Sequence, residues 1–234
     1  MDRTALNGLL RPKSVAVVGA SATPGKIGFT VMENLLKDGY KGKIYPINPS
    51  AAEILGLKAY ASIADVPDSI DAAIITVPAK LVLQVTEECG KKGVKGLIII
   101  TSGFSEVGNR ELEDQIVATA KRYGTRVLGP NIVGTMSNSD QLNASFAPFL
   151  PLRGKASLIS QSGALLIALD AASYTRRVGF DKLFSIGNMS DVNFADIIEF
   201  LDDDPNTTCI SLYIEGFKDG RQFIEASRKS SKPI

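Results

Sequence analysis

Two short segments of this 234-residue sequence combine residue types suited to holding an anion. The first is Gly19-Ala20-Ser21-Ala22-Thr23-Pro24-Gly25-Lys26-Ile27-Gly28, which lies between a β-branched run at 14–18 and a helical pattern. A glycine-rich turn entering a helix offers unpaired N–H groups and the positive end of the helix dipole, which together stabilise phosphate. The dinucleotide fingerprint needs a second glycine where Ser21 stands. The Walker A loop needs glycine where Pro24 stands, and a hydroxyl residue after the lysine, where Ile27 stands. A nicotinamide cofactor also calls for an acidic residue ending the second strand, and Asn48-Pro49 is found there. A glycine-rich turn without any ligand is the competing reading of the loop.

The second segment is Ser160-Gln161-Ser162-Gly163-Ala164-Leu165. Its hydroxyls can cap the helix that follows, or its N–H groups can face an anion. Asn131, in Gly129-Pro130-Asn131-Ile132-Val133-Gly134, is a further polar candidate. Glu215 ends an apolar run before Gly216, a position that suits a solvated loop carboxylate equally well.

The chain contains no histidine. That excludes histidine-dependent triads, histidine metal sites and histidine acid–base catalysis on these residues. Lys plus Arg (26) nearly balances Asp plus Glu (25), so no global field favours nucleic acid or an acidic membrane. The apolar stretches, such as 96–100, are of strand length and too short to span a bilayer. Met1-Asp2-Arg3-Thr4 leads into no apolar signal region. Cys89 and Cys209 form no CxxC pair and read as free thiols of a cytoplasmic protein.

The elements that must position these residues follow an alternating pattern. Strands are expected at 14–18, 43–47, 72–77, 96–101 and 126–128, separated by helices at 27–37, 80–91 and 109–123. This is the rhythm of βαβ units and a parallel sheet. Residues 130–153, rich in Pro and Asn, read as a long connection. A second α/β series follows, with strands at 156–159, 183–186 and 209–214 and helices at 163–176, 194–202 and 219–229. The expected domains are therefore 1–130, a linker at 131–150, and 151–234. With about three strands and Lys232-Pro233-Ile234 opening a fourth, the second domain reads as cut short.

The long glycine loop, Asn48-Pro49, Thr76-Val77-Pro78-Ala79 and Thr101-Ser102-Gly103-Phe104 stand in order at successive strand ends. In this they resemble the CoA-binding domain of NDP-forming (ADP-forming) acyl-CoA synthetases of the acetate–CoA ligase type, with the succinyl-CoA synthetase alpha subunit more distant. The turn at 129–134 is similar to the family's GPNxxG turn, with Ile132 where cysteine is common. Ser185-Ile186-Gly187-Asn188-Met189-Ser190-Asp191-Val192 is similar to its SxGNxxDV segment, and Asp219-Gly220-Arg221-Gln222-Phe223 continues the likeness.

The resemblance implies an α/β protein in which a Rossmann-like CoA-binding domain precedes a flavodoxin-like, succinyl-CoA synthetase-like domain. It implies that Gly19, Ala20, Ser21, Gly25 and Lys26 hold the phosphates of coenzyme A. Asn48, Val77, Pro78 and Ser102 would line its adenosine and pantetheine path. Ser160, Ser162, Gly163, Asn131 and Glu215 would belong to a phosphate and phosphohistidine site whose histidine this chain lacks. The family's reaction joins a small carboxylic acid to CoA at the expense of ATP, through acyl phosphate and phosphohistidine. ATP/ADP and Mg would enter only through an ATP-grasp subunit or domain, and an oligomer is implied. Two other readings stand beside this one: a stand-alone CoA-binding regulatory module, and the synthetase-like N-terminal region of a protein acyltransferase.

Overall fold

The computed structural model describes residues 3–234; Met1 and Asp2, used above in reading the N-terminus, lie outside them. The chain opens with α1 (Arg3–Leu10), which the sequence pattern did not suggest. Five strands then build the first sheet: β1 (Ser14–Val18), β2 (Lys43–Ile47), β5 (Ala72–Ile75), β6 (Gly96–Ile99) and β7 (Arg126–Leu128). Their order is β2-β1-β5-β6-β7 and every pairing is parallel. A two-stranded hairpin, β3 (Glu53–Ile54) and β4 (Leu57–Lys58), follows β2.

β1, β5 and β6 are buried along their whole length, as a parallel sheet covered on both faces requires. Val15 and Val17 face α1 and α2 (Ile27–Lys37), joining Leu9, Leu10, Val31 and Leu35. Ala16 and Val18 face the opposite way, into a core with Val82 and Cys89 of α3 (Ala79–Lys92) and Ile116 of α4 (Arg110–Arg122). α1 lies so close to the sheet that a Cβ on Gly96 would come 2.5 Å from Leu9 Cβ. α3 ends on Gly93 at φ 78°, whose N–H bonds back to the last turn.

The second sheet has the order β12-β10-β11-β8-β9. Its parallel part is β10 (Arg153–Ser160), β11 (Phe180–Ser185) and β12 (Cys209–Tyr213). The helices attached to it are α5 (Gly163–Arg176), α6 (Phe194–Asp202) and α7 (Gly220–Lys229). The other two strands correct the sequence reading. β8 (Gly134–Ser137) and β9 (Leu142–Ser145) fall within the interval taken as a linker and pair as a hairpin, whose β8 runs antiparallel to β11. Two four-residue strands, GTMS and LNAS, are too short and too polar to stand out in a stretch punctuated by Pro and Asn, yet all eight positions are buried.

This hairpin also packs on the first unit. Asn34 Nδ2 of α2 donates to the carbonyls of Ser145 (2.9 Å) and Ala147 (2.7 Å), and Asn143 Nδ2 donates to Asp38 (2.8 Å). The main apolar core accordingly runs through both units, from Val15 and Leu35 to Leu142, Phe184 and Ile198. A polar clasp crosses as well: Arg126 of β7 donates to Asp191 (2.8 Å) and to Asp196 of α6 (3.0 Å). No helix among the described residues is long and apolar enough to cross a membrane.

Candidate functional site

In the first sheet the chain leaves β1 toward β2 on one side and β5 lies on the other, so a crevice opens beyond the carboxyl ends of β1 and β5. The loop from Gly19 to Lys26 borders it. Gly19 has φ +93°, and a Cβ there would fall 2.7 Å from Thr76 Oγ1 of the loop after β5. A Cβ on Gly28 would lie 2.0 Å from the Gly19 carbonyl oxygen, so two glycines let the start of α2 press against the end of β1. Between them Ala22 to Lys26 are exposed, and the Ser21 hydroxyl accepts the Thr23 N–H at 3.0 Å. Lys26 is the extended residue before α2, and no side chain caps that helix, so its first N–H groups remain open to an anion.

Asn48 bears on the same loop by bracing it. Its Nδ2 donates to the Ala20 carbonyl (2.8 Å) and its Oδ1 accepts from Ser50 N–H (2.8 Å), so both ends of the amide are committed to backbone. Val77 is half-buried and Pro78 exposed at the start of α3. Thr101 Oγ1 donates to the Val77 carbonyl at 2.7 Å and ties the neighbouring strand ends together. Ser102 beside it is exposed.

The polar candidates of the second unit gather at the carboxyl ends of β10, β11 and β12. Ser162 is the N-cap of α5, its Oγ accepting from Leu165 N–H at 3.3 Å. Ser160 is fully buried and its hydroxyl donates to the Ser162 carbonyl (2.8 Å), so it shapes the turn and offers no free hydroxyl. Gln161 has a role the sequence did not disclose: its Oε1 accepts from the N–H groups of Glu215 (2.7 Å) and Gly216 (3.0 Å). The Glu215 backbone is thereby fixed beside α5 while its side chain stays exposed. Asn131, at φ +61°, donates through Nδ2 to Asn188 Oδ1 at 3.3 Å.

One cleft of about 490 Å³ lies between the two units. Ile27, Thr101 and Ser102 line it from the first unit, with Asn131, Phe146, Gln161, Gly163 and Ile167 opposite. Its walls are mostly apolar, with a few polar groups and the N-terminus of α5 at one side, the usual make-up of a small-molecule site. Phe146 and Ile167 are members that lie outside the sequence motifs, and Gln161 lies inside one without having been singled out. Next to the cleft, Asn188 Nδ2 donates to Glu106 (2.6 Å) and to Glu113 (2.8 Å). Burial acts to raise the Glu106 pKa, but hydrogen bonds from Asn188, Gly103 and Phe104 outweigh it and hold the carboxyl below its usual range.

Residues 13–138 match the family model described as a CoA binding domain, and residues 153–234 match the succinyl-CoA ligase like flavodoxin domain. The chain is 50% identical over 233 residues to subunit alpha of the ADP-forming acetate–CoA ligase I of Pyrococcus furiosus, covering 97% of this chain and 50% of that protein. It is 53% identical over 221 residues to the ADP-forming acetate–CoA ligase of Methanocaldococcus jannaschii, covering 94% of this chain and 31% of that one. The solved structure of the dinucleotide forming acetyl-coenzyme A synthetase 1 of Ca. Korarchaeum cryptofilum, in complex with phosphate and ADP, superposes with a TM-score of 0.96. There the identity is 49%, over 98% of this chain and 50% of that one. The chain thus spans half or less of the length of these relatives.

Proposed function

The chain belongs to the family of ADP-forming acyl-CoA synthetases, as a CoA binding domain joined to a succinyl-CoA ligase like flavodoxin domain, and from this we infer that it binds coenzyme A across the two units. The diphosphate and 3′-phosphate of CoA lie on the Gly19–Lys26 loop, against the open N–H groups of α2 and the Lys26 ammonium. The pantetheine arm passes Val77, Pro78 and Ser102 into the cleft. Its thiol end reaches the N-terminus of α5, where Ser162, Gly163 and the backbone held by Gln161 form a seat for a phosphoryl group, with Glu215 at its edge. The single observation that carries this reading is that the first residue of α2, the loop after β6 and the N-terminus of α5 open onto one cleft.

In the whole protein this site serves the synthesis of an acyl-CoA from a small carboxylic acid, CoA and ATP, with acyl phosphate as the intermediate between acid and thioester. The phosphoryl group is carried by a phosphohistidine, and ATP and Mg are handled by an ATP-grasp partner. These 234 residues include no histidine, so the carrier must come from elsewhere, and this chain by itself binds CoA without turnover. The domain limits we assign follow the two sheets, the first parallel and the second mixed, with the β8–β9 hairpin part of the second.

Titration calorimetry tests the reading. CoA should bind with micromolar affinity, roughly −8 kcal/mol, and NAD should not bind; equal or tighter NAD binding overturns it. Labelled ATP with magnesium should leave the chain unlabelled. An acid-labile, alkali-stable label on it would contradict the absence of a phosphoryl carrier.

A further inference from the structure

We propose that Glu106 is a positioning residue for the cleft, orienting polar groups on both of its walls through a single carboxylate. The proposal rests on the CoA reading above and extends it to a residue outside every ligand-binding motif. Glu106 Oε1 accepts from the N–H groups of Gly103 and Phe104 (3.1 Å for the latter), and so fixes the turn that presents Ser102. Its Oε2 accepts from Asn188 Nδ2 at 2.6 Å. The same nitrogen donates to the buried Glu113 at 2.8 Å, and Glu113 also accepts from Ser105 N–H at 3.2 Å.

Facing two carboxylates, the Asn188 side chain can only turn its NH2 toward them, because its oxygen there would meet acceptors alone. Its Oδ1 is then directed at Asn131 and receives the Asn131 NH2 at 3.3 Å. The consequence falls on the cleft, which Asn131 lines. With one N–H of its amide committed to Asn188, the Asn131 side chain has its orientation fixed, and its carbonyl oxygen, turned away from that contact, is an acceptor for an N–H or S–H donor. The pantetheine arm carries two amide N–H groups and a thiol, whereas the phosphates at the other end of CoA are acceptors. Glu106 therefore acts on the pantetheine half of the ligand and leaves the nucleotide half alone.

The test compares two probes on the full chain by calorimetry: CoA, and adenosine 3′,5′-bisphosphate, which has the nucleotide half only. Glu106→Gln keeps the size of the side chain but places an NH2 against donors, which frees the Ser102 turn or reverses Asn188. CoA affinity should fall about tenfold or more while that of the bisphosphate stays within about twofold. A structural role alone would weaken both probes alike, and that result, or no loss for either, overturns the proposal. Asn131→Ala should lower CoA affinity by a smaller factor, and the double variant should lose less than the product of the two single losses, since they share the Asn131 contact. Independent, multiplying losses would also overturn it. Failure of the wild-type chain to bind either probe would instead remove the CoA reading itself.

Discussion

A methyl group on Gly28 would lie 2.0 Å from the Gly19 carbonyl oxygen, so Gly28→Ala must push α2 off the turn that follows β1. We expect a loss of about 1–3 kcal/mol in urea unfolding from overpacking, together with loss of CoA binding. Lys26 makes the contrasting case. It is exposed, so Lys26→Ala should change stability by less than about 0.5 kcal/mol. Its CoA affinity should nevertheless drop by about 1–3 kcal/mol, the value of a charge-assisted hydrogen bond to phosphate. Asp170 of α5 is different again: it is buried and neither carboxylate oxygen has a hydrogen-bond partner. Burial, and then the charge of Asp38, push its pKa up from 3.8 to about 7. The folded state thus holds a proton that the unfolded chain has already released, and stability falls as pH rises from about 4 to about 7. Asp170→Asn should remove that slope, so its melting temperature relative to wild type climbs across this window and levels off above it; a pH-independent difference would contradict the assignment. At this scale the sequence disclosed the residues whose structural role is local, such as the glycines of the turn after β1 and the Ser162 cap. It could not disclose Gln161 or Glu106, whose partners lie 54 and 82 positions away.

The helix α5 joins the two halves of the proposed site, because its N-terminus opens on the cleft while Ser162 caps it. Ser162→Asp keeps a good capping group but sets a negative charge where a phosphoryl group would sit. We expect an unchanged melting temperature, loss of inorganic phosphate binding at α5, and little change in affinity for the nucleotide half of CoA, which our proposal sets beyond β1. Equal losses for phosphate and for adenosine 3′,5′-bisphosphate would mean that one anion seat serves both. The helices and strands that carry this geometry were legible wherever burial imposes a period: 27–37 and 163–176 match α2 and α5 to the residue. The β8–β9 hairpin was not, because its buried polar residues are satisfied by partners such as Asn34 and Asp38 on another element. α1 escaped for a related reason: Asn7 and Gly8 are weak helix formers, and the helix is held by Leu6, Leu9 and Leu10 packing on the sheet.

The two sheets meet over a shared core and a buried charge clasp, and this bears on how the molecule unfolds. Leu128 and Ile132, beside the passage from one sheet to the other, pack in one cluster with Val15 and Leu35 and also with Ile159 and Phe184. Separate melting of either unit would expose that surface. Arg126 stands at the same boundary, with its side chain 17% exposed and those of Asp191 and Asp196 at 11% and 1%. Asp191 also accepts the Val127 N–H at 2.8 Å, and Asp196 closes the capping box of α6 with Asn193. Removing the guanidinium leaves two carboxylates without their cation in a dry boundary, for which the cost is about 3–5 kcal/mol. Replacing Arg126 by Met, which keeps the stem and drops the charge, should therefore lower stability by several kcal/mol. If the shared core couples the units as its composition indicates, scanning calorimetry will show one transition in both proteins, with calorimetric and van't Hoff enthalpies equal, moved down in temperature by the variant. Two resolved transitions in the wild-type chain would show that the units melt independently. Two transitions in the variant alone would identify the Arg126 clasp, rather than the apolar cluster, as what makes the molecule unfold as one.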